Sequence, residues 1–450
     1  MDPLRIGIIG SGDITRAHLW GYWAMAQAGH TDFEIAALCS RTKPKSEQYF
    51  ARQLKGEQPA EFAADASPRV RSYKAGPIGV GDLPQGKAPD YHADWRELIA
   101  RDDLDAIEIH APPAMHHTVA VEALRAGKHV FLEKPMTVTV RGSHRVAEVA
   151  RQTGLKVAVG TNYCFDPGPR SAEYLLTAGR LGRVRIFHSK TFRGPGHWTR
   201  PVGSKLRKAL HAVRDKVLYR KPGAMAPPVG PRWRYQKTQV GAGELTENGV
   251  HLLDTAMHLC GPIDRAFGVL QQLEAIRIEQ PDGSIGESEN FDTFTTLLRF
   301  ARGGMGQIAI SGGVHGEPLM PRENFMIYGD EGSCSHMRCE LRDGTKADPW
   351  DVMQNEMDAG QRQVWFPGGL THRFGLQKLD WLAAIREDRA PVVDHERGLE
   401  VEAACYAVAE SHFLGREVTV AEVLDGSVSG FQDPIDAGLG LLEPDTAERA

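Results

Sequence analysis

The chain has no long apolar run and little net charge, and both absences narrow what it can be. Of its 450 residues 41% are hydrophobic, yet no segment approaches the roughly 20 apolar residues that a membrane span requires. A formal charge of −5 gives nucleic acid no overall attraction. Cysteine is scarce. The six, at 39, 164, 260, 334, 339 and 405, show neither a pairing framework nor metal-ligand spacing, and reduced thiols are expected. No repeat at solenoid periods is present. The amino terminus carries no basic, apolar leader, which makes a cytoplasmic location the expectation. What is left reads as a soluble enzyme long enough for more than one core.

The chain opens with an apolar strand, Leu4 to Ile9, followed at once by Gly10-Ser11-Gly12-Asp13-Ile14-Thr15 and a helical pattern with Ile14, Ala17, Gly21, Met25 and Ala28 on one side. Gly10 permits a tight turn and Gly12 lets backbone approach a pyrophosphate. The helix amino end offers unpaired N–H groups to that anion. Thr15 stands where the third glycine of a dinucleotide fingerprint would be. The next strand, Glu34 to Cys39, ends in Ser40-Arg41-Thr42-Lys43, with no acid to take ribose hydroxyls. A hydroxyl and a guanidinium suit a 2′-phosphate, so NADP(H) is favoured over NAD(H). The alternative is that Arg41, Lys43 and Lys45 form a solvated helix start and NAD(H) is accepted.

A second feature is the run from Ala126 to Pro135. Gly127 stops a helix, Val130 to Leu132 make a buried strand, and Glu133-Lys134-Pro135 ends it. Ligands of open α/β sheets bind at that carboxyl end. Pro135 keeps Lys134 out of helical geometry and so constrains the direction of its ammonium. The plainer reading is a charged pair reaching water.

Further on, Gly241-Ala242-Gly243 leads into a helix where Glu247, His251, Asp254 and His258 recur at four, three and four residues, on one face. A carboxylate one turn before an imidazole can orient the ring, and the ring can relay a proton. A core histidine bonded to its neighbour and a metal site compete for the same side chains. No metal is expected.

Together these elements resemble the glucose-fructose oxidoreductase and inositol dehydrogenase family, Gfo/Idh/MocA. The resemblance is carried by the Gly-x-Gly loop with His18 behind it, Trp95 to Ile99, Asp105 to Ile109, Pro112-Pro113 with His116, Glu133-Lys134-Pro135, and Gly241 to Asp254. It implies that Lys134 sits beside the nicotinamide and the substrate hydroxyl. It implies a second catalytic motif, here Glu247 to His251, with glutamate where the family has aspartate. Cofactor contacts are expected from Gly10, Gly12, Asp13, Ile14, Ser40, Arg41, Pro112, His116, Glu133 and Lys134. Substrate contacts are expected from Lys134, Asn162, His251 and Asp254.

The expected architecture is α/β: a Rossmann doubly wound parallel sheet over 1–160, with an insertion near 55–87, then an α+β domain over 161–432 with a largely antiparallel open sheet. Helices at Arg373 to Arg386 and His395 to Leu414 should close the second domain, and 433–450 should form a loose tail. The segment Arg193 to Lys237 is a basic insertion, with twelve Lys or Arg against Asp215 alone. Its apolar stripe of Leu206, Leu210, Val213 and Val217 reads as an arm packed on its own domain or a neighbouring subunit, with a helix lying on a membrane, gripping a partner or surrounding an anionic substrate as the alternatives.

The functional expectation is hydride transfer between nicotinamide and a secondary hydroxyl or ketone of a sugar, cyclic polyol or glycoside. Lys134 holds the reacting oxygen, His251 is acid/base and Glu247 orients it. The resemblance implies a homodimer or homotetramer. Two other readings stand beside this one: an NAD-dependent glycosidase using transient oxidation, and a non-catalytic nucleotide sensor.

Overall fold

In a computed structural model of the chain, which describes residues 2–54, 77–85, 87–192, 232–273, 277–279, 285–313 and 325–442, the amino-terminal part folds around a six-stranded parallel sheet. Its strands are β1 (Leu4–Ile9), β2 (Phe33–Cys39), β3 (Asp90–His92), β4 (Ala106–Ile109), β5 (His129–Leu132) and β6 (Val157–Val159), in the order β3-β2-β1-β4-β5-β6. Helices cover the strands, so Ile6, Ile8, Ile107, Val130 and Phe131 are fully buried, as a parallel sheet requires. The order reverses between β1 and β4, and this is where open sheets bind ligands.

The second sheet has nine strands. In spatial order they are Lys346–Ala347, Cys339–Leu341, Gly332–Ser335, Met326–Gly329, Val184–Phe192, Met305–Ser311, Thr293–Phe300, Ile263–Gln271 and Val418–Thr419. All neighbours run antiparallel except Val184–Phe192 beside Met305–Ser311. Burial alternates along Thr293–Phe300, the period-two pattern of a sheet with one covered and one open face. The helix His395–Leu414 lies on the covered face. Gly268 admits it, since a Cβ there would stand 2.5 Å from the carbonyl oxygen of Val408.

The structure corrects two expectations. Helix Arg373–Glu387 does not simply close the second domain; it packs on helix Asp13–Gln27 behind the glycine loop. Gly21 permits the close crossing, because a Cβ there would stand 2.8 Å from that of Phe374. The chain then runs back along β6, where Gln377 Nε2 donates to the carbonyl of Val159 at 2.9 Å and the amide of Val159 donates to Val393 at 2.9 Å. Nor is the tail loose from its start. Asp433–Gly438 is helical with Ile435 and Asp436 buried, and Asp436 accepts from Thr139 Oγ1 at 2.5 Å and Arg141 Nε at 3.0 Å. Most of the 55–87 insertion, residues 193–231 of the basic segment with its whole apolar stripe, and 443–450 lie outside the described residues.

Candidate active site

Four strands end level, and that alignment builds the site. Ile9, Ile109, Leu132 and Val159 are partners across β1, β4, β5 and β6. The next residues continue the ladder: the amide of His110 donates to Ile9 at 2.7 Å, that of Glu133 to Ile109 at 3.0 Å, and that of Gly160 to Leu132 at 2.7 Å. The glycine loop and Lys134 therefore share one rim.

Gly10 has φ of 109°, and a Cβ on it would stand 2.6 Å from the carbonyl oxygen of His110, so only glycine serves. Gly12 is the N-cap of helix Asp13–Gln27 with no side-chain cap hydrogen bond, and a Cβ there would meet nothing within 4 Å. An uncapped amino end facing open space suits a dinucleotide pyrophosphate, so these residues fit the cofactor. Asp13 is exposed and Ile14 half-buried at the same end. After β2, Ser40 Oγ lies 2.8 Å from the carbonyl of Thr42 and 2.8 Å from Ser46 Oγ, while Arg41 is exposed.

Two residues expected at the cofactor are held by other parts of the chain. His116 is fully buried, with Nδ1 2.9 Å from the carbonyl of Pro135 and Nε2 2.9 Å from that of Ala111. It ties the loop after β4, where Pro112 is half-buried, to the Lys134-Pro135 turn. Glu133 is buried behind Lys134. Its Oε1 lies 2.8 Å from Nε2 of the buried His18, and its Oε2 accepts from the backbone N–H of Lys134 at 3.1 Å. Burial pulls the pKa of His18 well below the usual value, with the positive charge of Lys378 acting the same way, so a neutral ring donates to the carboxylate.

Lys134 is only half-buried, and its Nζ donates to the backbone carbonyl of Glu247 at 2.6 Å. The first sheet's rim thus meets the turn that leads into helix Val250–Cys260, which carries His251. That turn, Leu245–Gly249, is π-helical, and the wider turn breaks the shared face read from the spacing. The Glu247 carboxylate pairs with Arg234 Nη1 rather than orienting His251. His251 instead stacks on Tyr163, with ring centroids 4.3 Å apart and planes 7° apart. Asp254 is corrected too. It is fully buried and ion-paired to Arg397 at 2.7 Å, with no surface for substrate. His258 lies 3.1 Å from Glu173. Asn162 remains a candidate contact: its Oδ1 and Thr161 Oγ1, just past β6, are buried without hydrogen-bond partners among the described residues. Tyr163, Arg234 and Arg397 were not singled out from sequence. Their long-range pairings leave no periodic signal, and Arg234 registers only as one charge in the basic segment.

Comparison with known proteins identifies the family. The family model described as an oxidoreductase family with an NAD-binding Rossmann fold matches residues 4–161, and that of the GFO/IDH/MocA C-terminal domain matches 209–335. Levoglucosan dehydrogenase of Pseudarthrobacter phenanthrenivorans is 24% identical over 348 residues, 74% of this chain and 73% of that protein. Inositol 2-dehydrogenase of Pseudomonas savastanoi pv. phaseolicola is 26% identical over 217 residues, 48% of this chain and 52% of its own. A solved levoglucosan dehydrogenase in complex with NADH and levoglucosan superimposes with a TM-score of 0.66 at 20% identity, over 93% of this chain and 100% of that one. The chain belongs to the GFO/IDH/MocA family of NAD-binding oxidoreductases.

Proposed function

We propose that the protein is an NAD(P)-dependent dehydrogenase that interconverts a secondary alcohol and a ketone on a sugar, cyclic polyol or glycoside. The observation that carries this reading is the Lys134 ammonium, held at 2.6 Å on the carbonyl of Glu247 where the two sheets' elements meet. The sugar and polyol dehydrogenases among its relatives support the substrate class.

When bound, the nicotinamide supplies hydride acceptor or donor chemistry. The chain's own residues do the rest. Lys134 binds the reacting oxygen by exchanging its contact to the Glu247 carbonyl for one to substrate, and its charge favours oxygen that is losing a proton. His251 takes or returns that proton, with its ring plane fixed by Tyr163. Glu247 anchors Arg234 beside the turn that Lys134 contacts. Asn162 and Thr161 offer buried polar atoms to substrate or cofactor.

Lys134→Met and His251→Ala should each lower turnover about a hundredfold while cofactor binding persists. Near-normal rates in both would overturn the assignment. For the cofactor, the exposed Arg41 and the lack of an acid after β2 favour NADP(H).

The same reading includes a second copy of the chain. Ile186, Phe267, Val269, Leu297, Met305 and Tyr328 are each 38 to 61% exposed on the open face of the second sheet. Leu297 is the cross-strand partner of Phe267, and Ile186 of both Met305 and Tyr328, which places two apolar groups on this face, suited to self-association.

A further inference from the structure

Behind the glycine loop lies a buried polar chain that the catalytic reading does not use. Helix Arg373–Glu387 delivers Lys378 into the core, fully buried, with Nζ 2.9 Å from Glu108 Oε1 on β4 and 3.1 Å from the centroid of the Phe131 ring. Glu108 Oε2 lies 3.0 Å from His110 Nε2. His110 Nδ1 lies 3.2 Å from Thr15 Oγ1, and Thr15 Oγ1 donates to the carbonyl of Gly10 at 3.1 Å. Tyr22 on the same helix as Thr15 donates to Glu108, and the His18 ring stacks on His110 with centroids 4.1 Å apart. Two close charge contacts, Lys378 to Glu108 and Glu108 to His110, and two hydrogen-bonding contacts, His110 to Thr15 and Thr15 to Gly10, thus join a charge from the carboxyl-terminal part of the chain to the glycine turn.

We propose that Thr15, His110, Glu108 and Lys378 form a positioning relay that sets the orientation of the Gly10 peptide and through it the affinity of the dinucleotide site. The inference rests on that site and not on the choice of substrate. It gives a reason for threonine at the third fingerprint position, where a glycine would leave both the Gly10 carbonyl and His110 without this partner. Gly10 packs closely on the His110 backbone, so the loop and the residue that carries the ring are in direct contact. The charge end is stable at neutral pH. Burial opposes charge on Glu108, yet Lys378 and His110 hold its carboxyl well below the usual range. Burial also lowers Lys378, to about 8, against the attraction of Glu108, which leaves it an ammonium. His18, Glu108 and His110 bring ligand atoms within 4.8 Å of one another, as a metal site would, but the Lys378 ammonium already supplies the cation there.

The test is NADH and NADPH binding, followed by cofactor fluorescence on the full chain, with circular dichroism to report folding. Thr15→Val should weaken binding of both about fivefold to tenfold, as for one lost hydrogen bond, and Thr15→Ser should restore it to within twofold. Lys378→Met should weaken binding at least as much, and adding Glu108→Gln, which removes the stranded charge, should recover it. Where Lys378→Met alone fails to fold, the Thr15 pair and the double variant decide. Affinity unchanged in Thr15→Val overturns the relay. So does a stoichiometric metal found by elemental analysis and lost in His110→Ala. Failure of the dehydrogenase reading would show instead as intact binding with no turnover on any sugar or polyol.

Discussion

Replacing Glu402 by Gln should make the protein more stable at pH 8 and leave it unchanged near pH 4.5. Glu402 lies on helix His395–Leu414, 1% exposed, and neither carboxylate oxygen has a side-chain partner among the described residues. Burial pushes its carboxyl from the ordinary 4.5 up to about 8, with the backbone amide of Met136 acting weakly the other way. The folded chain therefore keeps this proton up to about pH 8, whereas the unfolded chain releases it near 4.5. Between those values the unfolded state binds fewer protons, so stability is full below pH 4.5, falls as pH rises and is lost through pH 8. At about 1.4 kcal/mol for each factor of ten in proton affinity, the span amounts to about 5 kcal/mol. That is a large share of the ~5–15 kcal/mol typical of a folded domain. Gln has the shape of the protonated acid and no proton to lose. Urea unfolding of wild type and Glu402→Gln at pH 5, 6, 7 and 8, followed by tryptophan fluorescence, isolates the effect, since other titrating groups cancel in the difference. The expected difference grows with pH in favour of the variant, at about 1 kcal/mol or more per pH step. A difference that does not change with pH would refute the reasoning.

Three further outcomes follow from named contacts. Asp254→Asn strands the Arg397 guanidinium beneath helix Val250–Cys260, and should cost about 3–5 kcal/mol in the same unfolding assay. Tyr163→Leu removes the stacked partner of His251; it should lower kcat about tenfold with little change in KM, read from initial rates on whichever sugar or polyol is turned over. Leu297→Glu places a charge among the apolar side chains of the open sheet face, where the side chain is 59% exposed; light scattering should show a smaller assembly with an unchanged circular dichroism spectrum.

The first sheet was legible because its signals are local. β1, the glycine turn and its helix follow each other within 27 residues, and buried parallel strands write themselves as short apolar runs. The position of Lys134 at the end of β5 was legible for the same reason, since the apolar run stops there and a proline follows. The face shared by Glu247, His251 and Asp254 was misread because the spacing argument assumes 3.6 residues per turn. One π-helical turn sends the Glu247 carboxylate to Arg234, and helix burial turns Asp254 to Arg397. Neither partner follows from the helical spacing; Arg234 lies 13 residues before Glu247, and Arg397 is 143 residues from Asp254. Lys378 was invisible for a related reason. A lysine in an amphipathic helix reads as a solvated charge until the fold brings Glu108 to meet it.

The return of the chain to its first domain has a consequence for function. Helix Arg373–Glu387 and residues up to Asp394 complete the back and the β6 edge of the nucleotide-binding sheet, so that sheet is finished only after the second domain has been made. The two halves of the site are therefore not independent modules. Lys134 reaches forward to the Glu247 turn, while Lys378 reaches back to the strand beneath the glycine loop. A chain ending before Arg373 would leave Glu108 buried without its ammonium and helix Asp13–Gln27 without its cover. Such a truncation should lose dinucleotide binding along with stability, although every residue of the glycine loop is retained. A truncated chain that bound NADH with full affinity would show that the loop needs no support from behind.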